Sequence, residues 1–193
     1  MNAATRLPLL AILLTSACAG KTAVVDPMKF HDEALAATDP ATLGAPATAS
    51  AAQNEAVERF KSFFGDLNED RVKKNIRSVY APEAWFNDTL KSIRGVDALE
   101  HYLVDTARAV ESCKVDVDEV VASPNGVYVR WRMHIRFKKF RRGETHSSIG
   151  VTLLRFDKDG LVAYHQDYWD SGANLFEKIP VIGAGIRAVK RRL

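Results

Sequence analysis

The chain has 193 residues, of which 47% are hydrophobic, 26% are charged and 9% are aromatic. This composition is globular and excludes a wholly disordered chain, a collagen and a small disulfide scaffold. The formal charge of +3 is too small to indicate a nucleic-acid-binding protein. We therefore expect neither a nucleic-acid partner nor a cofactor.

The N-terminal residues have the pattern of an export signal. Arg6 supplies a positive charge, the apolar run Leu7–Leu14 follows it, and Thr15–Ala17 provides small residues. The run is too short to span a bilayer as a stable helix. A signal peptide is therefore predicted over residues 1–17.

The segment Leu14–Cys18 resembles the lipobox of bacterial lipoproteins, whose Cys becomes the lipidated first residue. Lipidation of Cys18 would anchor the protein to a membrane, since each buried methylene contributes about 0.8 kcal/mol. In the alternative, cleavage after Ala19 yields a soluble periplasmic or secreted protein. We favour a lipid-anchored protein of the cell envelope. Ala19 and Gly20 favour the outer membrane, because they are not the Asp that retains lipoproteins at the inner membrane.

Residues 18–49 are predicted to form a flexible tether. From Ala37 to Ala49 the chain is small, polar and interrupted by prolines. Such a segment buries too little surface to offset the entropy lost on ordering. A short helix over Val25–Ala37 is left open within it.

From residue 50 the apolar spacing is helical. Ser50–Gln53 has the form of a capping box and begins a helix that ends near Gly65. Asn68 caps a second helix, and Asp97–Glu100 has the form of a capping box for a third. These helices make up the first half of a domain predicted over residues 50–174.

From Cys113 the period changes to two, which is typical of strands. The longest strand, Val127–Phe137, is apolar at every odd position, and the turn residues Asp157–Gly160 separate two later strands. Helices followed by an antiparallel meander predict an α+β domain with one curved sheet wrapped over helices. Residues 175–193 are predicted to form a basic C-terminal tail helix.

This order of elements resembles the nuclear transport factor 2-like cone, the fold of SnoaL-type cyclases and ketosteroid isomerases. Tyr80–Asn87 with Gly95–Leu99 is similar to the family's segment before its third helix. Phe156–Gly160 with His165–Asp170 is similar to its closing hairpin. The resemblance extends from Asn54 to the C-terminus. It implies the fold, which carries enzymes and non-enzymes alike.

Limonene-epoxide hydrolase is the catalytic member that the last strand resembles, and this resemblance implies site residues. That enzyme uses an Asp-Arg-Asp set, with a Tyr and an Asn that hold the attacking water. Asp167 falls on its last-strand Asp, and His165 on an aromatic pocket residue. Asn87 falls on the water-holding Asn, and Trp85 replaces the Tyr. The Arg-x-Asp pair would be Arg132–His134, where the carboxylate is missing, which counts against epoxide hydrolysis.

Strand parity predicts the lining of the pocket. The apolar face of the long strand should be concave and buried, because exposing it forfeits about 25 cal/mol per Å². Symmetric hairpins centred on Arg141/Arg142 and on Lys158/Asp159 then align two rows. The first row contains Met133, Gly150 and Asp167, and the second contains Trp131, Thr152 and His165. The predicted pocket wall comprises Trp85, Trp131, Met133, Thr152 and Trp169.

Two functions are open at this point, of which we favour the first and keep the second as the alternative. In one, the apolar pocket binds a small hydrophobic molecule without chemistry. In the other, the chain resembles a SnoaL or ketosteroid isomerase enzyme. The general acid/base is then Asp167, with His165 as a positioning or relaying group and Asn87 ordering water or substrate. A metal site on His165 and Asp167 would need His146 as a third ligand, and nothing in the sequence places His146 nearby.

The other face of the long strand carries positive charge. Its basic residues and those of the following loop are Arg130, Arg132, His134, Arg136, Lys138, Lys139, Arg141 and Arg142. They are predicted to be a solvated face or, in an exported lipoprotein, a contact for anionic headgroups. Ile149, Val151, Tyr164 and Tyr168 share that face. This apolar area predicts a homodimer interface, or cover by the C-terminal tail helix.

Overall fold

The structure, a computed structural model, describes residues 26–193. The predicted signal peptide and Cys18 lie outside the described residues. The N-terminal elements are α1 (Pro27–Ala37), α2 (Pro40–Leu43), α3 (Ala51–Phe64), α4 (Glu69–Val79), β1 (Tyr80–Asn87), β2 (Ser92–Arg94) and α5 (Val96–Ala109). They are followed by β3 (Val110–Ser123), β4 (Gly126–Phe137), β5 (His146–Phe156), β6 (Val162–Trp169), α6 (Ser171–Asn174), a 3₁₀ helix (Phe176–Lys178) and α7 (Pro180–Lys190). The α+β class is confirmed.

The six strands form one curved, unclosed sheet in the order β2-β1-β6-β5-β4-β3. β1 and β6 are parallel, and the other neighbours are antiparallel. The concave face packs on α3, α4 and α5, and its core includes Phe60, Ile76, Leu99, Val127 and Val129. Each such side chain contributes about 1.5–3 kcal/mol through burial.

The predicted helix starts are confirmed at two of three positions. The hydroxyl of Ser50 accepts from the amide of Gln53 at 3.2 Å, and Asn68 Oδ1 accepts from the amide of Arg71 at 2.9 Å. The capping box predicted at Asp97–Glu100 is wrong, because Gly95 is the N-cap of α5 and no side chain caps it. Gly95 adopts a left-handed φ of 87°, a region that favours glycine.

The register of the meander differs from the prediction by two residues in each hairpin. Gly150 pairs with Trp131 and Trp169, whereas Thr152 pairs with Val129 and Asp167. Loop geometry causes the shift. Left-handed residues at Arg141 and Gly143 make the first loop asymmetric, and a bulge interrupts the second hairpin after Arg155. An even shift keeps every side chain on its predicted face.

The N-terminal segment corrects the predicted tether. Phe30 and Ala34 of α1 are buried against the outer, convex face of the sheet, where they form a second apolar cluster with Trp85, Leu153 and Tyr164. His31 Nδ1 lies 2.7 Å from the hydroxyl of Tyr164. The Arg155 guanidinium donates to the carbonyl oxygen of Leu35 at 2.8 Å. The prediction of a flexible tether is therefore wrong for α1 and α2, because α1 presents two apolar side chains that the sheet buries.

The C-terminal helix does not cover the outer sheet face. α7 packs on the preceding 3₁₀ helix, where Gly183 lies against the carbonyl group of Glu177. On the outer face, Ile149 stays 70% exposed and Tyr168 47% exposed. The predicted cover by the tail is therefore wrong.

Among the described residues, no helix has both the length and the apolar character that a membrane crossing requires.

Candidate functional site

The candidate site lies on the concave face of β6, where His165 and Asp167 point toward the helices. His165 is 2% exposed and is surrounded by aromatic rings. Its ring centroid lies 4.6 Å from that of Phe86, 5.6 Å from that of Phe60 and 5.9 Å from that of Phe64. The narrow end of the concave face is therefore filled with side chains.

A chain of hydrogen bonds crosses this apolar environment. The hydroxyl of Tyr80 lies 2.7 Å from His165 Nδ1, and His165 Nε2 lies 2.9 Å from Asp167 Oδ1. Thr152 Oγ1 donates to the same carboxylate oxygen at 2.5 Å. Trp131 Nε1 donates to Thr152 Oγ1 at 2.8 Å. We refer to Tyr80, His165, Asp167, Thr152 and Trp131 as the polar chain.

The hydrogen bonds of the polar chain are compatible with an arrangement in which every hydrogen points toward Asp167. An indole N–H can only donate, so the hydroxyl hydrogen of Thr152 is free to point at Asp167. Burial, followed by the charge of Asp167, raises the pKa of Tyr80 well above its ordinary value, so Tyr80 stays protonated. With the Tyr80 hydroxyl donating to Nδ1, His165 carries its proton on Nε2 and donates to Asp167. Every hydrogen of the chain then points toward Asp167.

One oxygen of Asp167 remains available. Oδ1 accepts from His165 and Thr152, whereas Oδ2 has no hydrogen bond to the residues described here. The Asp167 side chain is 15% exposed, so it reaches the open end of the concave face. On the same face, Trp169 lies one row beyond it and Met133 two rows beyond it, and both are half-buried. The free oxygen therefore lies where an apolar molecule could enter.

A second carboxyl group, that of Asp88, lies near this open end. It accepts hydrogen bonds from the hydroxyl of Tyr102 and from the amides of Leu90 and Lys91. Its backbone carbonyl accepts from Trp169 Nε1 at 2.8 Å. Burial is the main cause that raises the pKa of Asp88, and the nearby charge of Asp167 adds to the effect. Asp88 is held by its own turn and serves to position Trp169.

Two predicted site residues lie on the opposite face. Asn87 pairs with Gln166 and Phe86 pairs with His165, so alternation turns Asn87 away from the concave side. Asn87 instead donates to Ser92 Oγ at 2.8 Å. Trp85 stacks edge-on against Phe30 of α1 at 5.0 Å. The predictions that Asn87 and Trp85 line the pocket are wrong, and the residue that β1 supplies to the site is Phe86.

The remaining predicted residues divide between the concave face and the surface. Trp131, Met133, Thr152 and Trp169 lie on the concave side as predicted. Arg132 points outward and pairs with Asp118 at 2.6 Å. His146 pairs with Ile135, eight residues along β5 from the partner of His165, so the structure does not bring it to the polar chain. Residues 26–193 contain no cluster of three potential metal-binding side chains.

Sequence reasoning missed Tyr80, Asp88 and Tyr102. Tyr80 was singled out only as part of a resemblance, and a Tyr at a helix-to-strand junction carries no chemical signature of its own. Asp88 begins a turn in which its side chain accepts from the amides two and three residues later, a common structural role for Asp. Only the parallel pairing of β1 with β6 places Tyr80 and Asp88 beside the last strand.

Two hollows in the described surface lie elsewhere. One, of about 20 Å³, is lined by residues that include Pro40, Gln53 and Arg155. The other, of about 260 Å³, is lined by residues that include Asp66, Ala107 and Ser112. Neither is lined by a member of the polar chain.

Comparisons with known proteins support the fold. A family model described as a SnoaL-like domain matches residues 57–165. An epoxide hydrolase from M. tuberculosis, described as similar to limonene-epoxide hydrolase (LEH-like), superposes with a TM-score of 0.55 at 15% identity, over 74% of this chain and 98% of that one. A protein from Jannaschia sp. CCS1 described as a SnoaL-like polyketide cyclase superposes with a TM-score of 0.53 at 18% identity, over 63% of this chain and 88% of that one. An NTF2-like protein of unknown function from Exiguobacterium sp. 255-15 superposes with a TM-score of 0.51 at 20% identity, over 60% of this chain and 98% of that one. No curated protein matches the chain. At these identities the solved structures establish the fold alone.

Proposed function

The chain belongs to the SnoaL-like domain family, and we propose that it transfers a proton to and from a small apolar molecule, with Asp167 as the general acid/base. The observation that carries this proposal is the polar chain, in which two donors hold one oxygen of Asp167 while the other oxygen stays free at the open end of the cone. A carboxylate positioned in this way can act on a carbon acid.

The proposed proton transfer needs only the side chains of the polar chain and the substrate. Asp167 Oδ2 takes a proton from a carbon next to a carbonyl group, and the electron pair of that C–H bond moves into the carbonyl as an enolate. The protonated Asp167 then returns the proton to the same or a conjugated carbon. His165 and Thr152 are positioning residues, because they hold Oδ1 and orient Oδ2. Positioned proton transfer of this kind contributes about 10²–10⁴-fold to a rate.

Epoxide hydrolysis is the weaker assignment. That reaction, as the resemblance implies it, needs an Arg beside the carboxylates. Arg132 is the residue that falls on the Arg position, and its side chain is 57% exposed on the other face, where it pairs with Asp118. No step of that mechanism can be assigned to residues of the concave face beyond Asp167 itself.

A second candidate function is the binding of a small hydrophobic molecule without chemistry. The filled narrow end around His165 and the half-buried Met133 and Trp169 favour it, because they leave an apolar surface with little enclosed space. In this case the polar chain only satisfies the hydrogen-bonding needs of buried groups, as native structures generally require.

One experiment separates these two functions. The probe is 2-indanone, an apolar ketone with acidic α-protons. NMR follows the exchange of those protons for deuterium in D₂O and, in a separate sample in H₂O, shifts of the Trp131 indole N–H. We expect exchange above the buffer rate that is lost in Asp167→Asn and retained in Asp118→Asn, a matched change on the outer face. Indole shifts without exchange support the binding function. The absence of both indole shifts and deuterium exchange would contradict both proposed functions.

We also propose that the protein is exported and anchored to the cell envelope through Cys18. The support is the sequence pattern around Leu14–Cys18. Cys18→Ser is expected to move the protein from the membrane fraction to the soluble periplasmic fraction. Unchanged fractionation of this variant would contradict the anchor.

A further inference from the structure

The C-terminal helix α7 turns its apolar side to solvent. Val181 is 68% exposed, Ile182 49% and Val189 61%. At 100° per residue these three side chains and Gly185 fall within one stripe about 100° wide. A stripe of this kind normally faces a protein core.

The opposite side of α7 is the side that docks. Gly183 is buried against the carbonyl group of Glu177, where a Cβ atom would lie only 1.9 Å from the oxygen. Arg187 donates to that carbonyl oxygen at 2.9 Å, and Lys190 pairs with the Glu177 carboxylate. Helix α7 is thus fixed to the 3₁₀ helix through Gly183, Arg187 and Lys190. Its exposed stripe is a consequence of this docking.

The charge of the segment indicates what could cover the stripe. The residues after Glu177 include five cations and no Asp or Glu. The cations are Lys178, Arg187, Lys190, Arg191 and Arg192. Arg187 and Lys190 are held on the docked side of α7, whereas Arg191 and Arg192 follow the end of the helix. An apolar helix face with cations at its end fits an anionic bilayer surface, which accepts the apolar side chains at the acyl boundary and pairs the cations with headgroups. Two copies joined through this stripe would bring both sets of cations into one interface without an acidic partner from the segment.

We propose that α7 binds an anionic membrane surface, with its exposed stripe in the interface and Arg191 and Arg192 at the headgroups. This contact depends neither on lipidation of Cys18 nor on chemistry at Asp167. It would hold the domain at a bilayer by a second point, at the opposite end of the chain from the proposed anchor.

The test uses the chain from Ala19 to Leu193, which lacks Cys18 and keeps both clusters of buried residues. Its binding is measured by co-sedimentation with mixed phosphatidylglycerol–phosphatidylcholine vesicles and with pure phosphatidylcholine vesicles. We expect binding to the anionic vesicles only, weakened by salt. Arg191→Gln with Arg192→Gln should weaken binding about 25-fold, since each cation near an anionic surface contributes about fivefold.

Two matched pairs of variants test the assignment to α7. The triple variant Val181→Ser, Ile182→Ser and Val189→Ser should weaken binding more than tenfold without lowering stability, because these side chains are exposed. Ile149→Ser, which removes an exposed apolar side chain of the sheet, and Arg141→Gln with Arg142→Gln should bind as the parent does.

Three results would overturn the proposal: no binding to anionic vesicles, equal binding to both vesicle types, or equal loss in the α7 variants and their controls. A dimer seen by sedimentation velocity that the triple variant abolishes would also overturn it, by making a second copy the occupant of the stripe.

Discussion

Replacing Thr152 by Val is the most direct test of the polar chain. Thr152 is fully buried, and its hydroxyl both accepts from Trp131 Nε1 and donates to Asp167. Val has nearly the same shape, so the substitution removes two hydrogen bonds without opening a cavity. The buried indole N–H of Trp131 is left without a partner, which costs about 1–3 kcal/mol. The lost bond to a charged group adds about 1.5–3 kcal/mol, reduced here because Asp167 keeps its bond to His165 and some solvent contact.

The expected loss of stability for Thr152→Val is therefore about 3 kcal/mol. Urea unfolding followed by circular dichroism measures it, and with a slope of about 2 kcal/mol per M the midpoint should fall by about 1.5 M. Thr152→Ser keeps the hydroxyl and should cost only about 1 kcal/mol, for the lost methyl group.

Ser148 provides the matched control. It lies on the same strand and the same face, it is 7% exposed, and its hydroxyl has no hydrogen-bond partner among the residues described. Ser148→Ala should therefore leave the free energy of unfolding unchanged or raise it slightly. If Thr152→Val destabilises the protein no more than Ser148→Ala does, the polar chain is not formed and the role assigned to Asp167 loses its basis.

Three further predictions concern packing and pH. Gly150→Ala should destabilise the fold by about 1–3 kcal/mol and alter the near-ultraviolet circular dichroism, because the new Cβ would lie 2.4 Å from the Trp131 indole. Phe30→Ala should cost about 3 kcal/mol and expose α1 to proteolysis, since the ring is buried against the sheet. Burial and then the charge of Lys178 lower the pKa of His146. Its contribution to stability is thus complete above about pH 6.5 and is lost on acidification, and His146→Gln should flatten this dependence in urea titrations between about pH 7 and 5.

Each of these three predictions has a control. Gly185→Ala meets no atom within 4 Å and its φ is not left-handed, so it lacks the clash expected at Gly150. Met28→Ala removes an exposed side chain of α1, so proteolysis equal to that of Phe30→Ala would contradict the docking of α1. Ser148→Ala, two residues from His146 on the same strand, removes no titratable group and should leave the pH dependence of stability intact.

Sequence periodicity was sufficient to predict the faces of the meander, and it failed where both faces of a strand are buried. Along β4, odd and even residues differ clearly, so Trp131 and Met133 were placed on the concave side. Along β1, the run Ala84–Asn87 is buried at all four positions, because α1 covers the outer face. No alternation was left there to show that Trp85 and Asn87 face away from the site, and the resemblance on which they were chosen contains no parity information.

The short helix left open over Val25–Ala37 corresponds to α1, but the docking of the N-terminal segment on the sheet was missed for a related reason. Only Phe30 and Ala34 of α1 are buried apolar residues, and small polar residues dominate the segment after them. Two contacts on one helix face leave too weak a periodic signal, and their effect depends on a matching surface at Trp85 and Tyr164 that only the folded sheet provides. The sequence also could not predict the hydrogen-bond partners of Asp167, because a two-residue shift in register decides whether Thr152 or Gly150 lies beside it.

The docking of α1 sets how far the domain can travel from any anchor at Cys18. With α1 held on the sheet, the eight residues from Ala19 to Asp26 can reach at most about 28 Å, whatever their conformation. If α1 and α2 were released, the 31 residues up to Ala49 would reach about 100 Å. If Cys18 is lipidated as proposed, the few apolar contacts of Phe30 and Ala34 therefore set the distance of the domain from the bilayer: intact, they hold it close, and broken, they let it move further away.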